Sequence, residues 1–235
     1  MKKTIVLTVC IAAAAVCAIA AYNRAAGSDT SASVESATQE GTAAVNGTAG
    51  KSGKPGKVLV AYFSVPETDG VDASSGASRI VSNGRTMGST HYVASVISEA
   101  TGGDLFEIKT THTYPGTHKA LIDAAKKEID SSARPRLATY ISNLKDYGVV
   151  FVGFPNWWYD MPMPLYSFFD EYDFGGKTVI PFCTHGGSRF SGAVETIREL
   201  EPKATVLDGH AIARDRVDGS RDGVLRWLKK IGMRK

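Results

Sequence analysis

Tyr147-Gly148-Val149-Val150-Phe151-Val152-Gly153-Phe154-Pro155-Asn156-Trp157-Trp158-Tyr159 is an apolar run that empties into an aromatic loop. Met161-Pro162-Met163-Pro164 follows. A second apolar run, Thr178-Val179-Ile180-Pro181-Phe182-Cys183, then empties into Thr184-His185-Gly186-Gly187-Ser188. Short unbroken apolar runs bounded by turn residues read as strands covered on both faces, as in a parallel sheet. Proline at 162 or 164 suits the first turn of a helix, where no intrahelical N–H is lost, so a helix is expected from there to Tyr172. Strand, helix and strand form a crossover unit. Its strands end side by side, one in the aromatic loop and one in the glycine loop.

The same alternation covers the flanks. Lys57-Val58-Leu59-Val60-Ala61-Tyr62-Phe63 reads as the first buried strand, ending at Ser64. Residues 90–101 put Val93, Val96, Ile97 and Ala100 on one helical face, with Ser89 or Thr90 available to cap the helix and Gly102-Gly103 to stop it. Asp104-Leu105-Phe106-Glu107-Ile108 is a second strand, and residues 118–129 form a helix with Leu121, Ala125 and Ile129 in line. After Thr178–Cys183 come a helix burying Val194, Ile197 and Leu200, a short fifth strand at residues 204–207, and a last helix from about residue 218. Residues 65–87 separate the first strand from the first helix. Within them, Arg79-Ile80-Val81-Ser82 and Arg85-Thr86-Met87 flank Asn83-Gly84, the signal of a type I′ hairpin. Five strands alternating with helices imply a doubly wound parallel sheet in the order 2-1-3-4-5. Ligands of such sheets bind at the carboxyl ends of the strands near the switch point, where strands 1, 3 and 4 bring Ser64, the 155–159 loop and the 184–188 loop together.

Composition narrows the chemistry. The chain has 235 residues, 43% of them hydrophobic, enough for one ordinary domain with extra segments. Its formal net charge of +3 is small, and the domain is nearly balanced, which offers no argument for nucleic-acid binding. Cys10 and Cys17 fall in an N-terminal apolar run, leaving Cys183 as the domain's one thiol. No Cys/His spacing resembles a zinc site, no G-x-S-x-G elbow marks a hydrolase, and Cys183 has no nearby partner for disulfide exchange. Lys2-Lys3, the charge-free residues 5–21 and Ala18-Ile19-Ala20 describe an export signal cleaved before Ala21; an uncleaved N-terminal anchor is the alternative. Residues 22–56, rich in Ala, Gly, Ser and Thr, cannot bury enough apolar surface to offset chain ordering and read as a disordered linker. The folded domain is expected over residues 57–235, at the cell surface or in the periplasm.

Tyr62-Phe63-Ser64, Gly88-Ser89-Thr90, Gly153-Phe154-Pro155-Asn156-Trp157-Trp158, Met161-Pro162-Met163-Pro164 and Pro181-Phe182-Cys183-Thr184-His185-Gly186-Gly187-Ser188 resemble the flavodoxin-like family, in the branch with P-x-W-W and F-C-T-x-G-G-S loops. The resemblance spans residues 57–232. It implies a flavodoxin-like three-layer sandwich that binds FMN. Gly88, Ser89 and Thr90 supply backbone N–H groups, hydroxyls and a helix N-terminus for the phosphate, with Ser64 adding a hydroxyl. Asp72, Ser78 and Arg79 are within possible reach, although a surface excursion is the better reading of each alone. Residues 65–87 depart from the family's short phosphate loop.

The resemblance further implies that Pro155, Asn156, Trp157, Trp158 and Tyr159 border the ring. One of the three aromatics covers a face, and two of them are open to a reading as core or dimer surface. Thr184, His185, Gly186, Gly187 and Ser188 read the ring's edge, where glycine permits close approach. Tyr114-Pro115 echoes a recurrent family feature or is a plain turn. No residue is singled out as catalytic and no metal is expected. The function implied is electron transfer by an FMN-binding redox protein, with a redox partner protein or a small-molecule electron acceptor. The alternatives are an NAD(P)H-dependent quinone or small-molecule reductase using FMN, and an exported binding or scaffold protein that has lost FMN.

Overall fold

The computed structural model of the chain describes residues 56–69, 78–82 and 84–234, which belong to the unit Gly50–Lys235. The expected export signal or anchor, the linker up to residue 55, Asp72 and Asn83 lie outside the described residues. Among those described, no helix is long and apolar enough to cross a membrane.

Strand β1 (Lys57–Tyr62) is the first strand of the sheet. An antiparallel hairpin of β2 (Arg79–Ser82) and β3 (Arg85–Gly88) follows, as Asn83-Gly84 predicts, with Gly84 at a φ of 72°. The chain passes directly from β3 into α1 (Ser89–Thr101). Then come β4 (Asp104–Glu107), α2 (His118–Asp130), β5 (Tyr147–Pro155), α3 (Met163–Glu171), β6 (Thr178–His185) and α4 (Ala193–Leu200). The chain closes with β7 (Thr205–Val206), β8 (His210–Ala213) and α5 (Arg221–Lys230). The main sheet runs β4-β1-β5-β6-β7, all parallel, which is the expected order 2-1-3-4-5.

The sheet is buried on both faces because alternate side chains point to opposite sides. Leu59, Ala61, Val150, Val152, Phe154 and Cys183 pack against Leu121 of α2, Leu165 and Phe168 of α3 and Ile197 of α4. Val60, Tyr62, Phe151, Ile180 and Phe182 face the other way, against Val93 and Ile97 of α1 and Val224 and Leu228 of α5. Three helices thus cover one face and two the other, and every strand directs its carboxyl end to the same rim.

The fifth strand differs from expectation. It is two residues long at β7, and the edge is completed by β8, which pairs with the far half of β6 from Phe182↔His210 to His185↔Ala213. Pro181 accounts for the break. The Leu207 N–H donates to the Val179 carbonyl at 3.0 Å, so Pro181, two residues further on, also faces this edge and has no N–H to give. Gly209 fills the gap at a φ of 76°, where a Cβ would lie 2.2 Å from the Pro181 carbonyl oxygen. Restarting the edge as β8 carries the chain to the same rim as the loops of β5 and β6.

Candidate functional site

At that rim the ends of β1, β5 and β6 lie side by side, with Tyr62 opposite Gly153 and Pro155 opposite Thr184. A cavity of about 700 Å³ opens there, within the usual range of small-molecule sites. Eleven of the expected residues line it: Ser89, then Pro155, Asn156, Trp157, Trp158 and Tyr159, then Thr184, His185, Gly186, Gly187 and Ser188. Ser64, Gly88 and Thr90 are not among its lining residues, but Gly88 and Thr90 flank Ser89, and Ser64 sits against Gly88.

One end is built on the start of α1. Gly88 is its N-cap, and no side chain among the described residues caps the helix. Its missing Cβ leaves room for Ser64: an added Cβ would lie 1.9 Å from the Ser64 Oγ. Ser64 Oγ and Ser89 Oγ are both buried and have no hydrogen-bond partner among the described residues. The hydroxyls of Thr90 and Thr184 lie 2.8 Å apart, fully buried, and pin α1 to β6. The base of the insert is fixed here too. Ser89 N–H donates to the Ser78 carbonyl at 2.7 Å, and Ser78 Oγ donates to the Val65 carbonyl at 2.7 Å. Ser78, weighed as a surface residue, therefore lines the cavity. Arg79 instead clamps the loop after β1, donating to the Glu67 carbonyl at 2.9 Å.

The aromatic loop is a two-residue hairpin. Trp157 and Asp160 exchange backbone hydrogen bonds of 2.9 and 3.0 Å across Trp158 and Tyr159, whose φ values are 53° and 66°. Those are type I′ angles, which favour Asn-Gly and strain large side chains. Strain of this kind gathers where the chain presents side chains for a purpose. The three aromatics divide their roles. Trp157 packs edge-on to Phe63 and Tyr114, at 5.4 and 5.5 Å, half-buried against the core. Trp158 reaches over α2, its Nε1–H donating to the Ile122 carbonyl at 3.0 Å. Tyr159 is 74% exposed beside the cavity. Tyr114 is a buried core residue whose hydroxyl donates to Glu128 at 2.7 Å.

In the glycine loop His185 is buried, and its Nδ1 accepts the Gly187 N–H at 2.9 Å. That bond puts the ring proton on Nε2. Burial above all, helped by Arg189 and opposed by Asp215, holds the imidazole below its ordinary pKa and neutral. Asn156 stitches the two loops together. Its Oδ1 accepts from Ser188 Oγ at 3.0 Å, its Nδ2 donates to the Arg189 carbonyl at 3.0 Å, and its N–H donates to the Thr184 carbonyl at 2.8 Å. The side chains of Asn156 and Ser188 thus hold the loops in position. Cys183 is fully buried behind them, its thiol pushed up by burial.

Several lining residues had no signal in the sequence. Leu121, Ile122 and Ala125 of α2 form an apolar wall facing the cavity. His118 opens α2 and pairs with Glu67 at 2.9 Å, and Arg214 follows β8. Only the unexpected β8 explains how Arg214 reaches the rim.

Comparison with known proteins settles the lineage. The flavodoxin family model matches residues 78–231. This chain belongs to the flavodoxin family. Among solved structures this flavodoxin is similar to a Bacteroides uniformis protein assigned as a flavoprotein, with 30% identity and a TM-score of 0.59 over 75% of this chain and 99% of that one. It is also similar to a Bacteroides eggerthii protein of the same assignment, with 26% identity and a TM-score of 0.58 over 75% and 98%. No curated protein matches the sequence.

Proposed function

We propose that this flavodoxin binds FMN at the carboxyl ends of β1, β5 and β6 and carries electrons. The observation that supports this best is the start of α1, uncapped and flanked by two buried hydroxyls, Ser64 Oγ and Ser89 Oγ, without partners among the described residues. A buried hydroxyl left without a hydrogen bond costs about 1–3 kcal/mol. A phosphate at a helix N-terminus accepts such donors and is favoured by the helix dipole. The residues present therefore fit the phosphate end of FMN. The aromatic hairpin and the α2 wall fit a flat, largely apolar ring.

When bound, FMN supplies the redox chemistry. The chain's residues do the rest. Ser89 and the first backbone N–H groups of α1 would hold the phosphate, with Ser64 beside them against Gly88, and Trp158 and Tyr159 would shield a ring face. His185 Nε2–H and the Gly186 amide are the polar groups for the ring's edge, and Leu121, Ile122 and Ala125 keep water from it. The purified full chain should show a flavin absorption spectrum, or acquire one on adding FMN. A colourless protein that cannot be reconstituted overturns the reading.

One observation favours a second role, reduction of a small acceptor at the same site: the cavity of about 700 Å³ has an apolar wall on α2. Steady-state oxidation of NADH or NADPH by a soluble quinone separates it from simple electron carriage. The location rests on sequence alone. Lys2-Lys3, the charge-free run and Ala18-Ile19-Ala20 support export, with FMN loaded afterwards. Mature chain found in the cytosol contradicts that.

A further inference from the structure

Glu67 is 5% exposed and lines the cavity. Its Oε1 lies 2.9 Å from His118 Nδ1, while its Oε2 is buried with no hydrogen-bond partner among the described residues. The surroundings fix the backbone that carries this carboxylate. Arg79 donates to the Glu67 carbonyl at 2.9 Å, Thr68 N–H donates to the Gly116 carbonyl at 2.7 Å, and the Asp69 carboxylate receives the His118 N–H at 2.9 Å. An ionised carboxylate only accepts hydrogen bonds. Oε2 therefore calls for an O–H or N–H donor and repels an anion.

The position says which part of a ligand that donor belongs to. On one side the loop leads through Val65 and Ser78 to Ser89, the hydroxyl end of the cavity. On the other side His118 stands one helical turn before Leu121 and Ile122, the apolar end. The Glu67–His118 pair stands between them. A ligand with its phosphate at the first end and its ring at the second passes its middle across this pair.

We propose that Glu67, oriented by His118, is a specificity residue that accepts a hydrogen bond from the polyhydroxyl arm of the flavin. The inference rests on the FMN reading above. A hydrogen bond to a charged group is strong enough that losing it weakens binding about tenfold or more.

The test uses the full chain and three flavins titrated by fluorescence: FMN, riboflavin, which lacks the phosphate, and lumiflavin, which lacks the hydroxyl arm as well. Glu67→Leu should weaken FMN and riboflavin alike, by about tenfold or more, and leave lumiflavin unchanged. Glu67→Gln, which keeps a polar group in place, should bind FMN within a few-fold of wild type, and thermal melting without ligand checks that both variants fold. Loss confined to FMN would put Glu67 at the phosphate, and equal loss with lumiflavin would put it at the ring. Either result overturns the proposal, as does unchanged binding of all three. A wild-type chain that binds none of the flavins overturns the flavin reading itself, and this inference with it.

Discussion

Gly88→Ala perturbs the proposed phosphate end through a single added methyl group. The backbone at Gly88 has a φ of −66° and a ψ of 144°, angles that any residue adopts, so the effect is purely steric. The new Cβ would lie 1.9 Å from Ser64 Oγ and 3.1 Å from Ser64 Cβ. Rotating the Ser64 hydroxyl removes the first contact but not the second, so the loop after β1 or the start of α1 must move by a few tenths of an ångström. Overpacking of this kind costs about 1–3 kcal/mol, or roughly 2–12 °C in Tm for a domain of this size. The displaced hydroxyl also leaves the phosphate, which should weaken FMN about tenfold or more. Thermal melting and FMN titration read the two effects separately. Adding Ser64→Gly removes both clashing atoms and should restore the melting temperature but not the affinity. If Gly88→Ala melts and binds FMN like wild type, Ser64 does not lodge against Gly88 and does not serve the phosphate.

Three further outcomes are expected. Tyr159→Gly should raise the melting temperature of the flavin-free protein, by about 0.5–1 kcal/mol of stability, because glycine adopts a φ of 66° without strain. It should weaken FMN at the same time; a less stable variant contradicts the strained turn. Thr90→Val leaves the buried Thr184 hydroxyl unpaired and should destabilise by about 1–3 kcal/mol. Adding Thr184→Val should recover most of that loss in a denaturant titration. Burial lowers the folded-state pKa of His185 and of His210 below 6.5. The unfolded chain therefore takes up protons first as pH falls, and the native state loses stability from about pH 6.5 downward. Replacing both histidines with Gln should flatten the fall in melting temperature between pH 7.5 and 5.5; an unchanged slope contradicts the assignment.

Much of the fold was legible because burial on both faces of a parallel sheet leaves unbroken apolar runs, and Val149-Val150-Phe151-Val152 is such a run. The order of the strands followed from the alternation with helices. The edge was not legible: His210-Ala211-Ile212-Ala213 is short and weakly apolar, and its pairing depends on Pro181 having no N–H to offer across the gap. The site divided the same way. Its loops stood out as Trp-Trp-Tyr and Gly-Gly, rare neighbours at strand ends. The α2 wall did not, because Leu121 and Ala125 show the same periodicity whether they face the core or a cavity. Glu67 and His118 are 51 positions apart, and no local spacing marks them as a pair. Nor does the pattern separate Trp157 from Trp158. The left-handed turn packs one against the core and sends the other over α2.

The central claim is that the start of α1, with Ser64 and Ser89, holds the phosphate of FMN. Isothermal titration of the wild-type chain with FMN and with riboflavin under identical conditions tests it most directly, because the two differ by that phosphate alone. The account predicts that FMN binds about tenfold more tightly or better, through charge-assisted hydrogen bonds at a helix N-terminus. Equal affinity for the two, or no binding of either, would contradict it.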